Sequence, residues 1–426
     1  MPDDIAQSAL RKVRWRLIPF LFLLYIVAYL DRVNVGFAAI DMNRDLRFSD
    51  VVYGLGSGIF FVSYTLLEVP SNLMLARVGA RLWIARIMLT WGVLSASMIF
   101  VNSPLRFYVI RFLLGAAEAG FFPGIILYLT QWFPQRERAR AVGLFMTATA
   151  MAGVIGAPLS SALLRMDGAW GLRGWQWLFI VEGIPAILLV PVVLVYMTER
   201  PADAKWLRAD EREWLAREME AEHAESSKSI ATLGAALGTL RLWIVSLPYF
   251  CVVIAFYGIA FWLPQLMQSM STLGSATIVL LSAIPYVAAT IGLVVVGSRS
   301  DRLRERRWHV AGSCLIGATG FILTVLAPAT PAIALITLSI AAFGIWGTLG
   351  PFWAIPTAML RGTAAAGGIA LVNSIGNVGG FVGPYLMGWI RQATGGFTAG
   401  LLTLAAILVL GAVIVLRLER PEERRA

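Results

Sequence analysis

Two stretches carry charge where their neighbours are apolar. "LYIVAYLDRVNVGFAA" (Leu24–Ala39) holds Asp31 and Arg32 side by side, and "RFLLGAAE" holds Arg111 and Glu118. Seven residues separate that second pair, which puts both on one face of a helix, two turns apart. A guanidinium stays charged and presents a planar fork matched to carboxylate or phosphate. A carboxyl removed from water can exchange protons near neutral pH. An anion that draws arginine away from a carboxylate frees that carboxylate to take up a proton. These residue types therefore suit anion binding coupled to protons.

The elements that position them are apolar blocks. The chain has 426 residues, is 58% hydrophobic and only 14% charged, with mean hydropathy +0.74. A soluble domain carries about 25% charged residues, and a helix crosses a bilayer with about 20 apolar residues. Polar breaks divide the chain into twelve expected spans: 15–40, 51–75, 82–102, 105–132, 139–164, 175–197, 241–269, 275–297, 308–327, 331–358, 363–389 and 396–416. The first block is long and lacks a small-residue cleavage site, so it is read as a retained helix. Trp170, Trp175, Trp177 and Trp262 fall near span ends, where interfacial rings are favoured.

The formal charge of +10 invites a nucleic-acid reading, but the basic residues lie in short segments between spans. Of the 35 Lys and Arg, 27 fall on the side of the termini and the segment 199–240, and six on the other. Arg32 and Arg111 remain, within spans. That asymmetry predicts cytoplasmic termini. "DEREWLAREMEAEHAE" (Asp210–Glu225) has apolar residues at helical spacing, as in an amphipathic surface helix. Cys251 and Cys314 lie in apolar blocks, and His223 and His309 lack metal-ligand spacing.

The halves resemble one another. Arg77 and Arg302 are 225 residues apart, as are Arg136 and Arg361, while Pro158 and Pro384 differ by 226. The expected organisation is an all-α integral membrane protein of two pseudo-symmetric six-helix bundles, 1–198 and 241–426, joined by the loop 199–240. Such repeats place the site near the midplane between the halves. Glycines in "GVIGAP" and "GNVGGFVGPYLMG" permit close helix approach.

Residues 242–298, 308–360 and 362–390 contain no Asp, Glu, Lys or Arg, whereas the first half carries Asp31, Arg32, Glu68, Arg111, Glu118 and Glu182 within its spans. A charge at the bilayer centre costs at least about 2.5–3.5 kcal/mol, so such groups mark a route. At about 1.5 Å per residue, Arg111 is level with Asp31 and Arg32, and Glu118 lies deeper. All four are expected to share one cavity, with an Asp31–Arg111 pair as the purely structural alternative. Glu68, in "LLEVPSN", is read as structural or gating. Glu182, in "FIVEGIPA", is read as packing or capping within reach of water.

"YLDRVNVGFA", "LLEVPSNLMLARVGAR", "RFLLGAAEAGFFPGIILYLTQWFP", "FIVEGIPA" and "ERPADAKWL" together resemble the anion:cation symporter family of the major facilitator superfamily. The likeness runs over nearly the whole chain and is greatest to bacterial tartrate- and phthalate-type permeases. It implies proton-driven uptake of organic anions by alternating access in the bacterial inner membrane. By position it implies Asp31 and Glu118 as proton-handling acids, and Arg32 and Arg111 as substrate-carboxylate arginines. It also implies Tyr64, Trp353 and Asn373 as substrate residues. Tyr29, one turn before Arg32, and Tyr257 are added from spacing: the 225-residue offset carries Asp31 and Arg32 to Phe256 and Tyr257. The superfamily's loop motif departs in its first copy, with Asn72 and Ala76, and persists in the second as Gly297, Asp301 and Arg302. Thr147 and Thr149 stand where sugar-acid carriers have a glutamine.

The expected function is proton-coupled symport of a small organic carboxylate, tartrate-like or aromatic, with protons as coupling ion and no other cofactor. A proton-coupled exporter of drugs or metabolites is the alternative. No nucleophile elbow or metal cluster supports an enzyme. The expected partners are the substrate anion and the bilayer, with no nucleic acid, and the chain is expected to act as a monomer.

Overall fold

In the computed structural model, residues 2–227, 240–328, 330–359 and 363–418 are described. Lys228, Arg361 and the tail arginines Arg420, Arg424 and Arg425 lie outside them. Apolar side chains give these segments no choice but helix, because backbone groups in hydrocarbon must be satisfied within the segment. Eleven helices among the described residues are long and apolar enough to cross a membrane. Thr363–Thr394, a 32-residue helix at the place of the eleventh expected span, brings the described set to twelve.

Chain chemistry sets several starts. Ser49, Ser103 and Thr330 cap spans 2, 4 and 10 through their hydroxyls, which accept from Val52, Arg106 and Ile333 backbone N–H groups. Pro104 and Pro331 follow two of these caps, where a missing N–H costs nothing. Span 1 is longer than expected, running Pro2–Leu46 as one helix. Its first residues continue the helix outside the apolar block because Glu211 of the central loop gives Ser8 and Lys12 a partner.

Within the first half, span 1 packs on spans 5 and 6, span 3 on span 6, and span 2 on span 4. In the second half, span 7 packs on spans 11 and 12, while spans 8 and 9 pack on span 10. Across the halves, span 2 meets span 11, span 5 meets span 8, and span 1 meets span 7. The span 2–span 11 approach needs glycine: a Cβ on Gly54 would lie 2.6 Å from the Pro384 carbonyl. Large apolar side chains such as Leu188, Val195 and Leu326 face outward, as lipid contact requires. Of the four expected interfacial tryptophans, only Trp170 is exposed. Trp175 bonds Asp45, Trp177 bonds the Ala169 carbonyl, and Trp262 is buried between the halves, donating to the Pro384 carbonyl at 3.1 Å. Nearness to a span end said nothing about which way those rings faced.

The expected surface helix is present as Ala209–Ser227, and it is docked. Leu215 and Met219 are buried, Trp206 stacks on Trp132 with centroids 5.5 Å apart, and Arg138 reaches Glu222 at 3.2 Å. Glu211 is fully buried, accepting from Ser8 at 2.7 Å and Lys12 at 2.8 Å. Burial works to raise the Glu211 carboxyl. The Lys12 and Ser8 hydrogen bonds, the Arg208 backbone and the Lys12 charge outweigh it and hold the carboxyl down at about 2. A depressed value means that the undocked state binds more protons, so docking is fully supported above about 4.5 and loses support as pH falls towards 2. Proteolysis within 209–227 should therefore accelerate several-fold between pH 6 and pH 3, and Glu211→Ala should show the fast rate already at pH 7. Equal cleavage of both proteins at pH 7 would contradict this.

Candidate functional site

Span 4 is two helices, Pro104–Glu118 and Phe121–Trp132, broken at Ala119–Gly120. Gly120 takes φ +87°, the left-handed region that favours glycine. Expected as one continuous span, it ends its first half on Glu118, which brings that carboxylate to the chain break in the protein interior. Discontinuous helices at midplane sites are a recurrent transporter device. The first half of span 4 lies hard against span 2: a Cβ on Gly115 would stand 2.0 Å from the Phe60 carbonyl oxygen. This contact fixes where Arg111 and Glu118 point.

Arg32 pairs directly with Glu118. Its other terminal nitrogen donates to the Tyr257 hydroxyl at 3.3 Å. Residues one repeat apart thus meet face to face, an acid-binding cation in one half and a phenol in the other. The Arg32 guanidinium lies 5.0, 5.4 and 5.9 Å from the Tyr64, Phe60 and Tyr29 ring centroids, within cation–π range. Tyr29 is 2% exposed and its hydroxyl has no partner.

Arg111 is fully buried, and among the described residues no carboxylate pairs with it. It donates to the Gly56 and Ser57 carbonyls at 3.3 and 3.2 Å, lies 5.0 Å from the Phe60 centroid, and leaves Nη1 without a partner. Phe60 therefore sits within reach of both guanidiniums.

Asp31 departs from expectation. Adjacent helix positions diverge by about 100°, so Asp31 turns away from Arg32 and into the first bundle. It accepts from Trp91 and Ser95 of span 3, both at 2.7 Å, and from Asn34 at 3.4 Å. The Asp31–Arg111 pair does not form. The four groups are 0–5% exposed, and they divide into two settings: Arg32, Glu118 and Arg111 with the rings, and Asp31 with span 3.

A third cluster lies nearer the termini end. Glu68 of span 2 accepts from Asn373 at 2.7 Å and Asn377 at 3.1 Å, both on span 11. Trp353 joins Tyr249, whose ring packs at Gly376. Trp353 and Asn373 are thus assembled around Glu68 and Tyr249, apart from the contacts of Arg32. At the far end, Arg391 pairs with Asp50 at 2.8 Å and Ser275 donates to Asp41 at 2.6 Å. The halves are tied on both sides of the charged layer.

Glu182 is 2% exposed, shielded from bulk solvent rather than open to it as expected, and Ser160 donates to it at 2.7 Å. Sequence reasoning missed Phe60, Trp91, Ser95, Asn34 and Asn377. Asn34 was discoverable, one turn from Asp31 on the same helix face. The others come from different helices, and nothing in local spacing marks them.

The Major Facilitator Superfamily profile matches residues 21–382. The chain belongs to the major facilitator superfamily. A relative named "Putative tartrate transporter" from Agrobacterium vitis is 48% identical over 420 residues, covering 99% of this chain and 96% of that one. A "Quinolone resistance transporter" from Acinetobacter baumannii is 39% identical, covering 96% and 95%. The crystal structure of a bacterial homolog to the human lysosomal transporter Spinster, inward-facing and occupied, superposes with TM-score 0.77 at 18% identity, over 95% of this chain and 96% of that one. As a superfamily member the chain is a multi-pass membrane transporter and not an enzyme.

In this transporter the span 2–span 4 contact should tolerate no added methyl. Gly115→Ala is expected to destabilise the detergent-solubilised protein by about 1–3 kcal/mol, the usual range for overpacking, read as a lower Tm. An unchanged Tm would mean that span 4 is free to move away from Phe60.

Proposed function

We propose that the chain is a proton-coupled symporter of a small organic carboxylate, tartrate-like or aromatic, in the bacterial inner membrane with both termini cytoplasmic. Residues 1–198 and 241–426 would be the two bodies that rock about the charged layer. The observation that carries this reading is the Arg32–Glu118 pair, buried among rings and completed by Tyr257 of the other half.

A buried pair broken on one side leaves an uncompensated charge, which is worth about 3–5 kcal/mol. A substrate carboxylate that takes Glu118's place on Arg32 creates that situation, and a proton on Glu118 relieves it. Anion and proton then occupy the site together, and neither crosses alone at low energy. Arg111, with its free Nη1, suits the substrate's other acidic or hydroxyl end, and the unpartnered Tyr29 hydroxyl adds a donor. Tyr64 walls the guanidinium. Asp31 would hold a proton without touching substrate. Trp353 and Asn373 would line the route on the Glu68 side, where substrate passage must first separate Asn373 from Glu68. The relative named for tartrate supports the anion class.

The relative named for quinolone resistance favours a second reading, proton-driven export. Purified protein in liposomes separates the two by the direction in which a proton gradient drives substrate. The substrates to screen are tartrate, phthalate, hydroxyphenylacetate and hexonates. Arg111→Ala should abolish uptake. Glu118→Gln should still exchange labelled for unlabelled substrate but lose accumulation against a gradient. Full accumulation by Glu118→Gln would remove Glu118 from the proton path.

A further inference from the structure

Span 7 carries three side chains one turn apart, and each meets an arginine. The Tyr257 hydroxyl accepts from Arg32 at 3.3 Å, the Phe261 ring centroid lies 6.0 Å from the Arg111 guanidinium, and Gln265 Oε1 accepts from Arg391 at 3.1 Å. Positions 257, 261 and 265 share one helix face. Each step along it covers about 6 Å. Three guanidiniums from spans 1, 4 and 11 therefore stand in a row, from the charged layer to the rim opposite the termini. The two inner ones belong to the site described above. Arg391 is the outermost, and Gln265 beside it is about 12 Å along span 7 from Tyr257.

Arg391 is held mainly by its own half. Trp262 and Phe397 place their ring centroids 5.5 and 4.4 Å from its guanidinium, within cation–π range. Among the described residues, its one ionic partner from the other half is Asp50, at 2.8 Å, in the first turn of span 2. This is also the one ion pair that joins the halves among those residues. Arg391 is the only Asp, Glu, Lys or Arg between 362 and 416.

That pair can be exchanged. Its side chains are 26% and 27% exposed, and ion pairs open to water contribute little. The helix N-terminus at Asp50 favours a negative charge by itself, so Asp50 does not depend on Arg391. Both polar contacts of the guanidinium use Nη1, which leaves its Nε–Nη2 edge for a planar anion. Gln265 is 8% exposed, and its Nε2 is a buried donor without an acceptor. A carboxylate has two oxygens, one for the arginine and one to accept from Gln265. The neighbouring acid Asp41 is already engaged by Arg44 and Ser275.

We propose that Arg391 and Gln265 form a second carboxylate-binding site at the far rim, where an organic anion displaces Asp50 on its way to Arg111 and Arg32. When the rim parts, Asp50 leaves with the first half, and Arg391 stays on the second as a cation without its acid. An anion bound there favours the parted state, because it replaces the ion pair that closes the rim. The acidic class of the ligand rests on the proposed function; the position of the site does not.

Equilibrium dialysis with labelled tartrate, then phthalate, tests this on purified Arg111→Ala protein, in which the interior site is disabled. Adding Arg391→Gln should weaken binding about tenfold, the scale of one charge-assisted contact. Adding Asp50→Asn should tighten it several-fold, because the competing acid is gone. That gain should vanish when Arg391→Gln is also present. Both substitutions break the same ion pair, so a merely structural tie would move binding in one direction for both. Should Arg111→Ala fail to fold, the same series in the otherwise wild-type protein reads the weaker of two classes of binding. Shifts in one direction, indifference to Arg391→Gln, or no saturable binding of either anion would each overturn the proposal. Opposite shifts in a protein whose substrate is driven outward by a proton gradient would sink symport and leave the rim site standing. Gradient-driven uptake with binding indifferent to Arg391→Gln would do the reverse.

Discussion

A guanidinium and a carboxylate, 5% and 2% exposed, hold spans 1 and 4 together away from bulk solvent. Ion pairs exposed to solvent contribute little, but a desolvated one binds its members to each other because neither can be left alone. Much of the interior is arranged to keep the Arg32–Glu118 pair in that condition. Phe60, Tyr64 and Tyr29 surround the guanidinium, the break at Gly120 brings the end of a half-helix to it, and the second half supplies one phenol and no formal charge.

The absence of Asp, Glu, Lys and Arg from residues 242–298, 308–360 and 362–390 is the complement of that arrangement. A second set of charges facing the first would lock the halves, and rocking would then require breaking several desolvated pairs. Neutral rings and amides give contact that can be exchanged at lower cost. Glu68 shows the same pattern, reaching across to two asparagines, Asn373 and Asn377, with hydrogen bonds between a carboxylate and neutral amides. The ties at the far end, Asp50–Arg391 and Asp41–Ser275, lie partly exposed and are similarly replaceable.

Buried acids divide by partner. Among the described residues, Glu118 pairs with Arg32, Glu211 pairs with Lys12, and the hydrogen bonds to Asp31 and Glu182 come from neutral groups. A carboxylate with a cation beside it is held ionised until something takes the cation away. The same side chain therefore sits in a different electrostatic setting according to its hydrogen-bond partners.

Composition and spacing alone determined that the chain spans a membrane, that it is helical, that it is built as two related halves, and that Asp31, Arg32, Arg111 and Glu118 are its unusual charges. These follow from properties local to the chain: hydrocarbon allows only satisfied backbone, and charges there are rare enough to stand out. The 225-residue offset even matched Arg32 to Tyr257, which touch. Which acid would face which base was decided only by tertiary structure. Asp31 and Arg32 are neighbours in sequence but point about 100° apart, so one joined span 3 and the other span 4. The same turn separated Asp31 from Arg111 and set it against Trp91 and Ser95. Helix rotation and the Gly120 break are set by packing against other helices, and no single stretch of sequence contains that information.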